Sequence, residues 1–432
     1  MNWPTGAELI GRFARPAEIP QTVGLACPYF SGRRISGSVD GAHRRNKDLG
    51  NSSASTCMQT AFPSMIGPSA LGVAAISVYE PQRSLDNAWF AESLPQKFVK
   101  HTGTRARRIS DRSEVDLAYG AVRRLQREWG VDLRQCAAIV YVSPSHIPLA
   151  VARRLAHPDL VRREQLFCSA RRLARRLGIP ACPVYGMNWF CSGYSKALEV
   201  VRRIVVPMLG LGREQFVLVT VASRISRITD YECASTGALF GDLASATLIA
   251  RCDSPVYPVH FEIHDAFACR RPAPGAYFDF ELRDNVLFPD ASAGRTRVGS
   301  RIVFRLDGLN IADIAPRAMA SALESCLRSR GLPSTDLQFV VPHQAGSAIV
   351  RLAAMKFEQL GVRASVINDV TSQIGNVSSC SIPFALRHSW HTLHGWIACP
   401  TAAVGAPGKA EVSQGCILLR STPWHQRAAR AS

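Results

Sequence analysis

The chain of 432 residues carries 51 Lys and Arg against 33 Asp and Glu, a formal charge of +18, and 47% of its residues are hydrophobic. That length and apolar fraction can bury one large core or two moderate ones, which excludes a disordered chain, a collagen and a disulfide miniprotein. No apolar run approaches the ~18 residues of a membrane span, and the 13 Cys, odd in number and scattered, with no apolar stretch behind a basic segment at Met1, point to reducing cytoplasm.

Residues 1 to about 64 are rich in Ser, Gly, Arg and Pro and lack apolar periodicity, so they are expected to form a disordered extension or to lie upstream of a start at Met65. Gly72 to Tyr79 then reads as a strand. Asp116 to Trp129 has helical apolar spacing, is followed by Gly130, and leads to the strand Ala137 to Val142. The pattern returns in Ile314 to Leu327, Gly331 and Leu337 to Val341. A second correspondence runs from Leu177-Gly178-Ile179 to Cys191-Ser192-Gly193, and from Leu360-Gly361-Val362 to Gly375-Asn376-Val377-Ser378-Ser379. Each half closes on an apolar strand pair: Phe216 to Ser223 with Ala244 to Ala250, and Ile397 to Val404 with Cys416 to Leu419.

A duplicated α/β fold of buried, largely parallel strands is expected. The expected organisation is an extension at 1–64, an N-terminal half at 65–252, an excursion at 253–297 rich in Pro, Asp and aromatics, a C-terminal half at 298–421 and a tail at 422–432.

Three residues stand where chemistry gathers. Cys191 lies at a strand-to-helix junction, ahead of a helix over Ser192 to Arg203, where the helix N-terminus favours a thiolate and backbone N–H groups can hold an oxyanion. His343 follows the strand Leu337 to Val341, at the carboxyl end where α/β folds collect their sites. Asn376 is expected to occupy in the second half the place that Cys191 holds in the first.

In chain order, Thr102-Gly103-Thr104-Arg105-Ala106-Arg107-Arg108-Ile109, Cys191-Ser192-Gly193-Tyr194, Phe240-Gly241-Asp242, Pro342-His343-Gln344-Ala345 and Gly375-Asn376-Val377-Ser378-Ser379 resemble the β-ketoacyl-ACP synthase III family of thiolase-like condensing enzymes. The resemblance spans about Met65 to Arg420. It implies a thiolase-like duplicated fold, two βαβ-rich halves forming a five-layer αβαβα core. It also implies a triad in which Cys191 accepts the acyl group while His343 and Asn376 serve decarboxylation. Arg351 and Lys356 would meet the phosphate of a carrier or of CoA, and the N–H groups of Cys191 and of Gly405 or Gly408 would form the oxyanion hole. The implied partners are acyl-CoA or acyl carrier protein, a malonyl thioester and a second copy of the chain in a homodimer. CoA and carrier phosphopantetheine would be substrate carriers, with no resident cofactor.

The chain departs from the family's pattern at the CoA adenine clamp, where Lys97 or Phe98 and His101 stand. It departs again after the catalytic His, where Gly346 replaces Asn, and in the reduced Gly-rich turn Gly405-Ala406-Pro407-Gly408. An insertion at Val151 to Gln165 precedes a helix whose Arg171, Arg172, Arg175 and Arg176 form one stripe, most simply a solvated face.

The first reading is a decarboxylating Claisen condensation in fatty acid or secondary-metabolite biosynthesis. The alternatives are a Cys-dependent acyltransferase to a non-malonyl acceptor, a non-catalytic partner subunit and, ranked lower, a chalcone synthase relative, whose Pro-Gly-Gly run is here Gln344-Ala345-Gly346. Nucleic acid is supported by charge alone, and no Cys-x-x-Cys, His-Glu-x-x-His or Gly-x-Gly-x-x-Gly suggests a metal, flavin or nicotinamide site.

Overall fold

The computed structural model describes residues 70–94, 97–155, 166–290, 296–368 and 370–431. The extension at 1–64, the start at Met65 and the insertion from residue 156 to Gln165 lie outside them.

The apolar runs form strands that pair in the same order twice. In the first half, β1 (Leu71–Tyr79), β4 (Cys136–Val142), β5 (Val184–Met187), β6 (Phe216–Arg224) and β7 (Asp242–Arg251) are ordered β5-β4-β6-β7-β1. In the second, β8 (Phe261–Pro272), β11 (Leu337–Val340), β12 (Ser365–Val366), β13 (Trp396–Val404) and β14 (Glu411–Ser421) are ordered β12-β11-β13-β14-β8. Among the described residues the two five-strand arrays are joined strand to strand where Gly72 and Val73 pair with Glu262 and Phe261. Outside them stand the ribbons of β2 (Ser84–Asp86) with β3 (Ala106–Arg108) and of β9 (Phe278–Pro289) with β10 (Thr296–Leu306).

The helices that build the remaining layers include α1 (Phe98–Thr102), α2 (Glu114–Trp129), α3 (Leu166–Arg176), α4 (Gly193–Val200), α5 (Gly308–Arg330), α6 (Ser347–Gln359) and α7 (Ser381–His388). Ser113 starts α2 through a capping box with Asp116, and Gly130 ends it in the left-handed region. Leu117, Val122 and Leu125 of α2 and Leu173 of α3 cover the outer face of the first array against Ile139, Tyr141 and Leu218. Met319 and Leu323 of α5 with Phe357 of α6 cover the second against Val340, Ala398 and Leu418. Tyr194 and Leu198 of α4 and Ile382 and Leu386 of α7 fill the space between the arrays, against Val219 on one side and Ile417 on the other. The expected αβαβα layering is therefore present.

Three expectations are corrected. Each array holds two parallel and two antiparallel pairings, so the strands are mixed rather than largely parallel. The supposed excursion at 253–297 contains β8, which pairs with β14 along its length and is the first strand of the second half, together with β9. The tail contains a helix, Pro423–Ala431, tied down where His425 Nδ1 lies 3.0 Å from His260 Nδ1 in a buried contact.

Candidate active site

The chain leaves β5 through Asn188, whose Oδ1 accepts the Phe190 N–H at 2.9 Å. Phe190 takes φ 43°, a left-handed conformation uncommon for a bulky residue. A single 3-10 turn, Phe190–Ser192, then carries Cys191 into α4, which continues through a π turn at Val201–Val205. The second half repeats this device. Asn376 Oδ1 accepts the Ser378 N–H at 2.9 Å, Ser378 takes φ 53°, and the 3-10 turn Ser378–Cys380 leads into α7. The counterpart of Asn376 is therefore Asn188, and the counterpart of Cys191 is Ser379, which corrects the expected Cys191–Asn376 correspondence.

Close packing brings the two turns together. Ser379 Oγ donates to the Phe190 carbonyl. A Cβ on Gly193 would lie 2.5 Å from Ser379 Oγ and 2.6 Å from Val142 Cγ1, which explains the glycine after the cysteine. The Phe240-Gly241-Asp242 motif clamps the Asn376 turn. Asn376 N–H donates to the Leu239 carbonyl at 2.8 Å, Gly241 N–H donates to the Asn376 carbonyl at 3.1 Å, and a Cβ on Gly241 would lie 2.0 Å from the Ile374 carbonyl oxygen. Asp242 accepts from Ser110 N–H, Ser226 N–H and the Ser226 hydroxyl at 2.8, 2.9 and 2.6 Å. Burial nevertheless holds its carboxyl up at about 6.

Cys191, His343 and Asn376 line one cavity of about 120 Å³. Apart from these residues and Ser378, its walls are apolar, with Phe190, Ile225, Phe240, Phe278, Phe304 and Ile349 among the lining residues. Burial pushes the Cys191 thiol up to about 11, against the lowering effect of the Ser378 hydroxyl, which donates to Sγ at 3.3 Å, and of its own N–H. Burial thus favours the thiol at pH 7 rather than the thiolate expected at the helix start. Burial brings His343 down to about 4, so its imidazole is neutral at pH 7. Its Nδ1 lies 2.6 Å from Ser381 Oγ.

Because Asn376 Oδ1 is held by the Ser378 N–H, its amide NH₂ is left as the group available to a ligand in the cavity.

The other expected site residues are placed as follows. Arg351 and Lys356 lie on α6, where Arg351 donates to the Lys100 carbonyl at 3.2 Å and Lys356 to Gln359 Oε1 at 3.2 Å. The N–H of Gly405 donates to the Glu411 carbonyl at 2.9 Å and that of Gly408 to the Phe278 carbonyl at 2.8 Å. Neither is left as a second oxyanion donor in this structure, which corrects that assignment, while Cys191 N–H stays beside its own sulfur. Phe98 is buried against Leu85, Phe90 and Tyr231 and so is part of the core rather than a stacking clamp. Arg107 is buried too, holding the Leu85 and Asp86 carbonyls at 3.0 and 2.8 Å. Arg171, Arg172, Arg175 and Arg176 are exposed on α3, with Arg176 paired to Asp116.

Sequence reasoning passed over Asn188, Ser378 and Ser381. The first two had a signal, since Asn188-Trp189-Phe190 and Asn376-Val377-Ser378 both precede a small-residue helix start. Among the described residues no group of three or more His, Cys, Asp or Glu is arranged to hold a metal ion.

The chain is similar in sequence and in fold to known condensing enzymes. The family model for 3-oxoacyl-[acyl-carrier-protein] synthase III matches residues 185–264 and the model for its C-terminal part matches residues 327–404. The β-ketoacyl-[acyl-carrier-protein] synthase III of Sphingopyxis alaskensis is 28% identical over 71% of this chain and 85% of its own length. The enzyme of the same name from Rhizorhabdus wittichii is 29% identical over 71% and 86%. Among solved structures, the 3-oxoacyl-(acyl carrier protein) synthase III of Pseudomonas aeruginosa superposes with a TM-score of 0.59 at 23% identity, covering 82% of this chain and 98% of that one. A priming β-ketosynthase of a polyketide biosynthetic pathway gives 0.60 at 23%, covering 84% and 100%. The first family model spans the Cys191 turn and the second spans both His343 and the Asn376 turn, so the similarity to the β-ketoacyl-ACP synthase III enzymes covers the segments that carry all three residues.

Proposed function

We propose that the chain is an acyltransferase that loads an acyl group on Cys191 and condenses it with a malonyl thioester, with loss of CO₂. The observation that carries this reading is the convergence of Cys191, His343 and the oriented Asn376 amide on one apolar cavity. In the first half-reaction the Cys191 sulfur forms a bond to the carbonyl carbon of the incoming thioester. The carrier thiol leaves and takes up the proton that Cys191 loses. In the second, the malonyl C–C bond breaks to release CO₂ and leaves an enolate thioester, whose oxygen is stabilised by an imidazole N–H and the Asn376 NH₂. The enolate carbon then attacks the acyl-enzyme carbonyl and expels the Cys191 sulfur, which takes up a proton from solvent, giving a β-ketoacyl thioester and the resting thiol. No metal or redox cofactor is required by these steps, and CoA or carrier phosphopantetheine enters only as part of a substrate.

The apolar lining favours an uncharged hydrocarbon primer. Acyl carrier protein is the expected donor of the malonyl group. Arg351 and Lys356, beside the exposed Leu352 and Met355 on α6, offer the mixed basic and apolar surface that an acidic carrier would engage. The reading includes a homodimer, for which β5 at the end of its array offers an open strand edge. It also includes a cytoplasmic setting, in keeping with the free cysteines among the described residues. The Phe190 ring on the cavity wall and the burial of Phe98 away from a CoA clamp support a second reading, acyl transfer from Cys191 to a non-malonyl acceptor in secondary metabolism. Release of CO₂ from a malonyl thioester separates the two. Condensation predicts release that is lost in Asn376→Ala, whereas transfer without release supports the second reading.

A further inference from the structure

We propose that Ser381 is a positioning residue that selects the tautomer of His343, holding its proton on Nε2. Stabilising an enolate oxygen requires an imidazole N–H aimed into the cavity. A neutral imidazole has one such proton, so its position decides whether His343 is a donor there at all. The proposal rests on the condensing reading for the step it serves, but the tautomer is a property of the protein alone.

The argument is a proton count. Ser381 is the first residue of α7 and is 0% exposed, and His343 is 2% exposed. The Ser381 oxygen lies 2.6 Å from His343 Nδ1 and also accepts the Gln344 N–H at 3.4 Å. If His343 carried its proton on Nδ1 and donated it to Ser381, the serine oxygen would accept twice. Its own hydroxyl hydrogen would then be left without a partner in a buried site, and leaving a buried donor without an acceptor is costly. If instead Ser381 donates to Nδ1, every group is satisfied: Gln344 N–H to Oγ, Oγ–H to Nδ1, and Nε2–H left for the cavity. The short helix α7 and the Asn376 turn are continuous in sequence, so the segment that orients the amide donor also orients the imidazole donor.

The same arrangement has no equivalent in the first half, where Gly193 stands at the position of Ser381, directly after the 3-10 turn. The duplication has thus put a hydroxyl where only the decarboxylating half needs one.

The test uses the full chain with ¹⁵N-labelled histidine, and His343 is assigned by difference against His343→Ala. The wild type is expected to show a bare Nδ1 and a protonated Nε2. Ser381→Ala should populate both tautomers and lower CO₂ release from malonyl-CoA or malonyl-ACP about tenfold or more, while acylation at Cys191 proceeds at the wild-type rate. Ser381→Thr, which keeps the hydroxyl, should restore both the tautomer and the rate. A wild-type His343 protonated on Nδ1, or a Ser381→Ala protein with unchanged tautomer and rate, overturns the proposal. If Ser381→Ala does not fold, the wild-type resonance decides by itself. If the wild type releases no CO₂ from either malonyl thioester, the condensing reading fails while the resonance still decides the role of Ser381.

Discussion

The reactivity of Cys191 gives the sharpest test of how burial and local donors compete at this site. With the thiol pushed up to about 11, only on the order of 10⁻⁴ of it is ionised at pH 7. The rate of alkylation by iodoacetamide at this residue should therefore rise about tenfold per pH unit from 7 to 10 without levelling, because the folded protein holds the neutral form well above the ordinary thiol range. The Ser378 hydroxyl, 3.3 Å from the sulfur, opposes burial. A hydrogen bond to a charged acceptor is worth about 1.5–3 kcal/mol, which is roughly one to two pKa units. Ser378→Ala should accordingly slow alkylation at fixed pH by about 10- to 100-fold. Because Cys233 and Cys252 are exposed, the assay must read the Cys191 peptide by mass rather than total label. A rate that levels off below pH 8, or a Ser378→Ala protein that reacts as fast as wild type, would refute the reasoning. Levelling below pH 8 would mean that local donors outweigh burial, and an unchanged Ser378→Ala rate that this hydroxyl does not tune the sulfur.

Other outcomes follow from the same geometry. Asn376→Ala should leave acylation of Cys191 intact and lower CO₂ release by about 10²–10³-fold, the usual loss on removing one oxyanion donor; equal losses in both half-reactions would contradict the assigned role. Phe304→Ala removes a ring from the cavity wall and should shift the preferred primer toward longer chains in an acyl-CoA panel, at a stability cost of about 3 kcal/mol. An unchanged preference would place the acyl chain elsewhere. His146, His260 and His343 are all brought down to about 4 by burial, so the unfolded chain binds their protons first and their contribution to stability, full above about 6.5, is lost as pH falls toward 4. Asp242, held up at about 6, opposes them over the same window, but one group stands against three. The Tm should therefore fall between pH 6.5 and 4.5, and a Tm that rises there would be inconsistent with these neutral histidines.

The duplication was legible because its signals are local: helical spacing in Asp116 to Trp129 and again in Ile314 to Leu327, a glycine after each, and an apolar strand after that. β8 was not. Its apolar residues alternate with Glu262, His264, Arg270 and Arg271, and this half-buried pattern was lost beside the Pro and Asp around it. The C-terminal helix is held by long-range contacts of His425, with His260 165 residues away and with the Leu393 carbonyl, which no local pattern announces. At the site, residue types and positions marked Cys191, His343 and Asn376. Which residues are equivalent across the pseudo-twofold did not emerge, because that equivalence lies in two strained turns, at Phe190 and Ser378, rather than in residue identity. The state of the Cys191 thiol and the engagement of the Gly405 and Gly408 N–H groups are tertiary properties, set by burial and by the carbonyls of Glu411 and Phe278.

The central claim is that Cys191 carries the acyl group. Intact-protein mass spectrometry after incubation with a panel of acyl-CoA and acyl-ACP thioesters, on wild type and Cys191→Ala in parallel, tests it most directly. The account predicts a single acyl mass added to the wild type by an uncharged aliphatic primer and no addition to Cys191→Ala. An adduct that persists in Cys191→Ala, or none on the wild type with any thioester, would contradict it.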